Sequence, residues 1–110
     1  MYARIARFEG LDADQIDQQV AERKRQLDGA RSGSLPDGAP PQVRTLMDSV
    51  KHVFDLVDRE NGTGLTIMLA ATEDDMRRVD AALNEMSPEP SEGRRTGVEI
   101  FEVVLDEDFS

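Results

Sequence analysis

Two side chains are candidates for chemistry because each is the only one of its type in the 110 residues. His52 could act as a general base, since imidazole is well suited to exchanging protons near neutral pH. Tyr2 could donate a proton or hold a substrate carbonyl through its phenol. Each residue also has a structural interpretation: His52 as a half-buried residue at a strand end, and Tyr2 as a rim residue with a buried ring and a hydrated hydroxyl. The sequence leaves these alternatives open and assigns no catalytic residue.

Carboxylates are abundant, but their spacing does not predict a metal site. The run at residues 73–75 is typical of the start of a helix, and the run at 106–108 is typical of a solvated tail. Neither run has the spacing of a calcium loop. The absence of cysteine excludes disulfides, thiolate metal sites and a cysteine nucleophile. Glu102 is the acid of most interest if it shares a buried face with Ile100. We expect no metal and no cofactor.

Charge and hydropathy limit the classes of partner. Thirteen basic and 23 acidic residues give a net charge of −10, which repels phosphate backbones and anionic lipids. No apolar run approaches the roughly 20 residues of a membrane helix, and the first ten residues lack the apolar core of a signal peptide. We therefore expect a cytoplasmic, single-domain protein over residues 1–110 that binds neither nucleic acid nor membrane.

A β-hairpin over residues 50–71 is the element that would position most of the candidate residues. Asn61 and Gly62 separate two apolar runs and predict a two-residue type I′ turn, because both residue types tolerate positive φ angles. Alternation then places His52 on a nearly all-apolar face with Phe54, Leu56, Ile67 and Leu69. With Tyr2 from the first strand, four of these form the predicted ligand-binding set: Tyr2, His52, Phe54, Ile67 and Leu69.

The remaining elements follow from periodicity and from capping residues. A strand over 2–9 precedes a helix capped by Asp12, with Gln15 as the partner in a capping box. Thr72 caps a second long helix, in which Asp75 occupies the third position. The predicted apolar stripe of this helix consists of Met76, Val79, Leu83 and Met86, with Ala82. The composition of residues 29–41 predicts a loop, either a surface insertion or a lid over a pocket. The other predicted segments are a short helix that opens at Pro40-Pro41 and ends near Asp48-Ser49, a strand over 96–105 and an acidic tail over 106–110.

The order strand, helix, strand, strand, helix, strand predicts a ferredoxin-like α+β fold, βαββαβ, with a four-stranded antiparallel sheet and both main helices on one face. The last strand is apolar on both sides, and no segment remains to cover the second side. A homodimer with two sheets packed face to face is the simplest solution, with an interface of at least about 1,200 Å². The two apolar sets are Val98, Ile100 and Val104, and Phe101, Val103 and Leu105.

Three segments carry a resemblance to a known family. The opening MYARIARFEG, the central LVDRENGTGLTIML followed by TEDDM, and the closing VEIFEVVLDE resemble the dimeric α+β barrel superfamily of antibiotic-biosynthesis monooxygenase-like small proteins. The resemblance implies a homodimer with a small pocket between sheet and helices. It also implies activities that range from cofactor-free oxygenation through haem degradation to none known.

Two functional hypotheses follow from these observations. The first is a homodimer that binds a hydrophobic or aromatic small molecule, with monooxygenase-like turnover and His52 or Tyr2 as the polar anchor. The second is a non-catalytic assembly or interaction module whose pocket is filled by its own side chains. An open cavity near His52 and Phe54 would favour the first hypothesis, and a solid core there would favour the second.

Overall fold

The computed structural model describes residues 1–31, 41–85 and 94–109, which form four strands and three helices. In chain order these elements are β1 (Tyr2–Glu9), α1 (Ile16–Arg31), α2 (Pro41–Ser49), β2 (Val50–Asp58), β3 (Thr63–Ala70), α3 (Glu73–Glu85) and β4 (Arg94–Glu102).

The four strands form one antiparallel sheet in the order β2-β3-β1-β4. This α+β arrangement is the one predicted from the element order, and it is consistent with a ferredoxin-like fold. The short helix α2 is an addition to the simple pattern, placed between α1 and β2. The two central strands, β1 and β3, are paired on both sides, whereas β2 and β4 are the edges.

All three helices lie on the same side of the sheet. Arg4 of β1 bonds to Asp80 of α3, and Asp55 of β2 pairs with Arg23 of α1. Arg4 lies opposite Met68 on β3, and Leu46 of α2 packs against the core cluster to which Met68 belongs. Because side chains alternate along a strand, the residues between these positions point to the other side of the sheet, called here the open face.

The main core lies between α3 and the centre of the sheet. It consists of Met68, Ala70, Met76 and Val79, with partly buried apolar residues packed around it. The stripe predicted for the helix after Thr72 is confirmed at Met76, Val79 and Ala82, which are all buried. The predicted cap is also confirmed, because the Asp75 backbone N–H donates to Thr72 Oγ1 over 3.1 Å. Met86, the last residue of that predicted stripe, lies outside the described residues.

The predicted faces of the hairpin are confirmed, but its predicted two-residue turn is wrong. Asp58 pairs with Thr63, so the loop has four residues, 59–62, rather than two. Gly62 has a φ of +67°, whereas no residue other than glycine has a positive φ in the described ranges, which excludes a type I′ turn. Asp58 stabilises the longer loop instead, because its carboxylate accepts bonds from the backbone N–H groups of Glu60 and Asn61. The predicted two-residue turn pairs Glu60 with Thr63, so the observed register is shifted by two residues. Because side chains alternate with a period of two, each residue stays on its predicted face.

Three other boundaries differ from the prediction. Helix α1 continues through Gly29 to Arg31, because a helical glycine costs only about 1 kcal/mol relative to alanine and the first proline of the stretch comes later, at Pro36. At its beginning, Asp12 Oδ1 accepts from the Asp14 N–H, but the regular helix starts only at Ile16. Residues 32–40 of the predicted 29–41 loop lie outside the described residues. Strand β4 ends at Glu102 and not at residue 105.

Candidate functional site

Four of the five predicted ligand-binding residues lie together on the open face. His52 opposes Leu69 and Phe54 opposes Ile67 in the register of β2 with β3. The His52 and Phe54 rings are in contact, with centroids 4.3 Å apart and planes tilted by 39°. His52 is exposed, so the half-buried structural role expected for it does not apply within the protomer. These residues line neither a cavity nor a solid core; they form part of an uncovered surface.

Tyr2, the fifth predicted residue, lies on the opposite face of the sheet. It opposes Ala70 and Glu102 and packs against the main core. Partial burial raises the pKa of its phenol, and the nearby Glu102 and Glu73 carboxylates raise this pKa further. Tyr2 therefore stays protonated at neutral pH. It cannot act on one bound molecule together with His52, because the sheet separates the two side chains.

The open face is a broad apolar surface. Phe54, Leu56 and Phe101 are 44%, 46% and 49% exposed, and they surround partly buried residues of the central strands. The charged residues Arg7 and Glu99 also lie on this face, where Arg7 stands opposite Leu65 and Glu99 opposite Ile5, and they pair with each other over 3.0 Å. The apolar part of the face comprises Ala3, Ile5, Phe54, Leu56, Leu65, Ile67, Leu69 and Phe101.

A cleft lies on the other side of the sheet, beneath α1. Its cavity volume is about 70 Å³. Helix α1 covers this part of the sheet through the buried Ile16, while Val20 one turn later is 44% exposed at the cleft. Its apolar walls include Phe8, Leu11, Ile16, Val20 and Val57, and its polar side chains are Gln19, Arg23, Asp55 and Thr66.

Three of these polar groups converge at the strand wall of the cleft. Thr66 Oγ1 donates to Asp55 Oδ1 over 2.8 Å, and Arg23 Nε lies 3.3 Å from Asp55 Oδ2. Both carboxylate oxygens are therefore engaged, and the cationic and anionic charges offset each other. An apolar pocket with a few convergent polar groups is the usual form of a small-molecule site.

Neither Asp55 nor Thr66 is among the site residues predicted from the sequence. A signal for them existed, because Asp55 alternates with Val53 and Val57 on the helix-covered face of β2. A carboxylate on an inward face needs partners there. The charged end of Arg23 reaches this carboxylate from α1.

The acidic residues considered for metal binding have other partners or are dispersed. Glu73 pairs with Arg77 at 2.5 Å and Asp75 with Arg78 at 2.9 Å. Glu102 is exposed, so it is not the buried acid that alternation on the last strand suggested. In residues 1–31, 41–85 and 94–109, no three histidine or acidic side chains converge as a possible metal site.

Comparison with models of known protein families and with curated proteins gives no match. Across the helices that the structure describes, none combines the length and the apolar character needed to cross a bilayer.

Proposed function

We propose that the protein is a homodimer in which the open faces of two sheets pack together, as in a dimeric α+β barrel. The observation that supports this is the apolar open face, which no described helix covers. Half-exposed Phe54, Leu56 and Phe101 would each gain roughly 1 kcal/mol from burial. A contiguous apolar surface of this kind marks an interaction site, and a second copy offers the same surface in self-complementary form.

We further propose that each protomer binds a hydrophobic or aromatic small molecule in the cleft beneath α1. The apolar walls suit a ring system. The Asp55–Thr66–Arg23 group suits a neutral hydroxyl or carbonyl, because the site already balances one positive and one negative charge. Binding is thus assigned to the cleft, and the predicted set around His52 and Phe54 is assigned to the dimer interface.

The geometry favours binding over oxygenase-type turnover. His52 lies on the open face and Tyr2 packs against the main core, and neither residue lines the cleft. The role as an assembly module, the second hypothesis from the sequence, agrees with this arrangement for the open face. Oxygen uptake by the protein in the presence of aromatic polyols would support turnover and contradict this assignment.

The chain lacks cysteine, so introduced thiols can test which face is covered. Phe101→Cys and Ile100→Cys form a matched pair, because these neighbours on β4 are 49% and 44% exposed and point to opposite faces. In the proposed dimer, a maleimide reagent modifies the thiol at position 101 at least about tenfold more slowly than the thiol at position 100. Equal rates at micromolar protein concentration would contradict the covered face.

The cleft can be tested with 2-naphthol, which combines an aromatic ring system with one hydroxyl. We expect Val20→Gln to weaken its binding in a calorimetric titration, because Val20 lines the cleft. Ala21→Gln is the control, since Ala21 is exposed on the same helix and does not line the cleft. Equal affinities for the two variants would remove the cleft from the proposal.

A further inference from the structure

The segment that follows β4 carries the most exposed apolar side chains of the described residues. Val104, Leu105 and Phe109 are 87%, 76% and 97% exposed. The segment starts in continuity with the sheet, because the Val103 N–H donates to the Met1 carbonyl over 2.9 Å. Residues 103–109 therefore continue from the edge strand β4 and expose their large apolar side chains to solvent.

The open face alone is small for a stable dimer. Four strands at a spacing of about 4.8 Å and eight residues at a rise of about 3.3 Å give a face of about 19 by 26 Å, or about 500 Å². The flat outlines of two such faces sum to about 1,000 Å², which is a lower bound on the accessible surface that they would bury, and stable interfaces bury about 1,200–2,000 Å². Additional apolar contact would enlarge such an interface, and segment 103–109 follows β4 at the margin of the open face.

We infer that segment 103–109 is an exchanged arm: in the dimer, the arm of each protomer packs its apolar side chains against the rim of the partner's open face. This inference rests on the proposed sheet-to-sheet dimer and adds a second contact to it. The partner that covers the open face is a second copy of this chain, because the same molecule carries both the uncovered face and the exposed apolar side chains of segment 103–109. The acidic residues Asp106 and Glu107 remain in water between the apolar contacts.

The dimer dissociation constant, measured by sedimentation over a range of concentrations, tests the arm. Moving one large apolar side chain from water into an interface changes an association constant by about tenfold or more. We expect Leu105→Ser and Phe109→Ser each to raise the dissociation constant at least about tenfold. Asp106→Ser is the matched control in the same segment and should stay within about twofold of the wild type. Circular dichroism of the variants should be unchanged, because these side chains are exposed in the protomer.

The outcomes separate the arm from the sheet contact. A dimeric wild type whose dissociation constant is unaffected by Leu105→Ser and Phe109→Ser overturns the arm and leaves the sheet contact standing. A tighter dimer after truncation at Glu102 would mean that the segment covers its own protomer, which also overturns the exchange. A wild-type chain that stays monomeric at every concentration overturns both proposals, since no second copy then occupies the face.

Discussion

Arg4 shows how one charged residue is accommodated inside the protomer. Its side chain is 4% exposed at the centre of β1, and its Nε lies 2.9 Å from Asp80 Oδ1. Asp80 also accepts a bond from Asn84 Nδ2 over 3.3 Å, so the helix holds the carboxylate above the strand. Arg4 Nη2 has no hydrogen-bond partner among the described residues. The Arg4–Asp80 pair therefore holds α3 against the sheet and leaves the Nη2 group of Arg4 unsatisfied.

This arrangement predicts an asymmetry between the two partners. Asp80→Ala should lower the free energy of unfolding by about 3 kcal/mol, because it leaves a buried guanidinium unpaired. Arg4→Met should cost less than about 1 kcal/mol, since it removes the charge and the unsatisfied donor together and keeps an apolar stem. Urea unfolding of both variants measures the difference. Equal losses would contradict the account of Arg4.

Gly62 is the residue on which the hairpin loop depends most. It combines a φ of +67° with close packing, because a Cβ atom there would lie 2.9 Å from the backbone oxygen of Leu11. The Gly62 carbonyl also accepts the Leu11 N–H over 2.9 Å. Gly10 has a similar φ of +73° but open space around it. A substitution at Gly10 therefore introduces backbone strain alone, whereas a substitution at Gly62 introduces the same strain and a steric clash.

We expect Gly10→Ala to cost about 1 kcal/mol of stability, which is the cost of a left-handed conformation for alanine. Gly62→Ala should cost at least about 2 kcal/mol, because the contact with Leu11 adds to the same strain. Thermal unfolding of the two variants provides the comparison. A Gly62→Ala variant as stable as Gly10→Ala would show that the loop can move away from Leu11 freely.

At the scale of elements, Asp58 organises the hairpin loop together with Asn61 and Gly62, because its carboxylate accepts bonds from the side chain and the backbone of Asn61. Hydrogen bonds from the Asn61 side chain and then from the Asn61 and Glu60 backbone N–H groups lower the pKa of the Asp58 carboxyl. A carboxyl whose pKa is lower in the folded state contributes stability above its unfolded pKa, and this contribution disappears as the pH falls through the folded value.

This linkage predicts a pH-dependent effect of Asp58→Ala. The variant should be less stable than the wild type at pH 7, and the difference should shrink as the pH falls below about 4, the ordinary range of an aspartate. Glu60→Ala is the control, because Glu60 contributes its backbone and not its carboxylate to the loop. A difference between Asp58→Ala and the wild type that stays constant from pH 7 to pH 3 would contradict the role of the Asp58 carboxylate.

The elements that sequence patterns predict well are those with a repeated physical signal. The 3.6-residue spacing of Met76, Val79 and Leu83 and the capping Thr72 predicted α3 correctly. The prediction of the turn was wrong because the Asp58 carboxylate accepts hydrogen bonds from the loop. The intrinsic turn preference of Asn-Gly does not include these bonds. The cleft was missed for a similar reason: its polar group joins α1 to β2 and β3, and these partners meet only in three dimensions.

At the scale of the molecule, the sheet is covered unequally. Three helices cover one side, while the apolar residues of β1, β2, β3 and β4 on the other side meet no described helix. The sequence indicated this imbalance through the last strand, although part of that pattern lies beyond the end of β4. In the structure, most of the uncovered apolar surface lies on the central strands and on β2.

The molar mass in solution, measured by light scattering during size-exclusion chromatography at micromolar concentration, tests the proposed dimer most directly. The account predicts a mass of twice the 12.2 kDa chain for the wild type and for Ile100→Asp. It predicts the mass of one chain for Phe101→Asp, which places a charge on the open face. A wild-type protein that elutes as a single 12.2 kDa species would contradict the central claim.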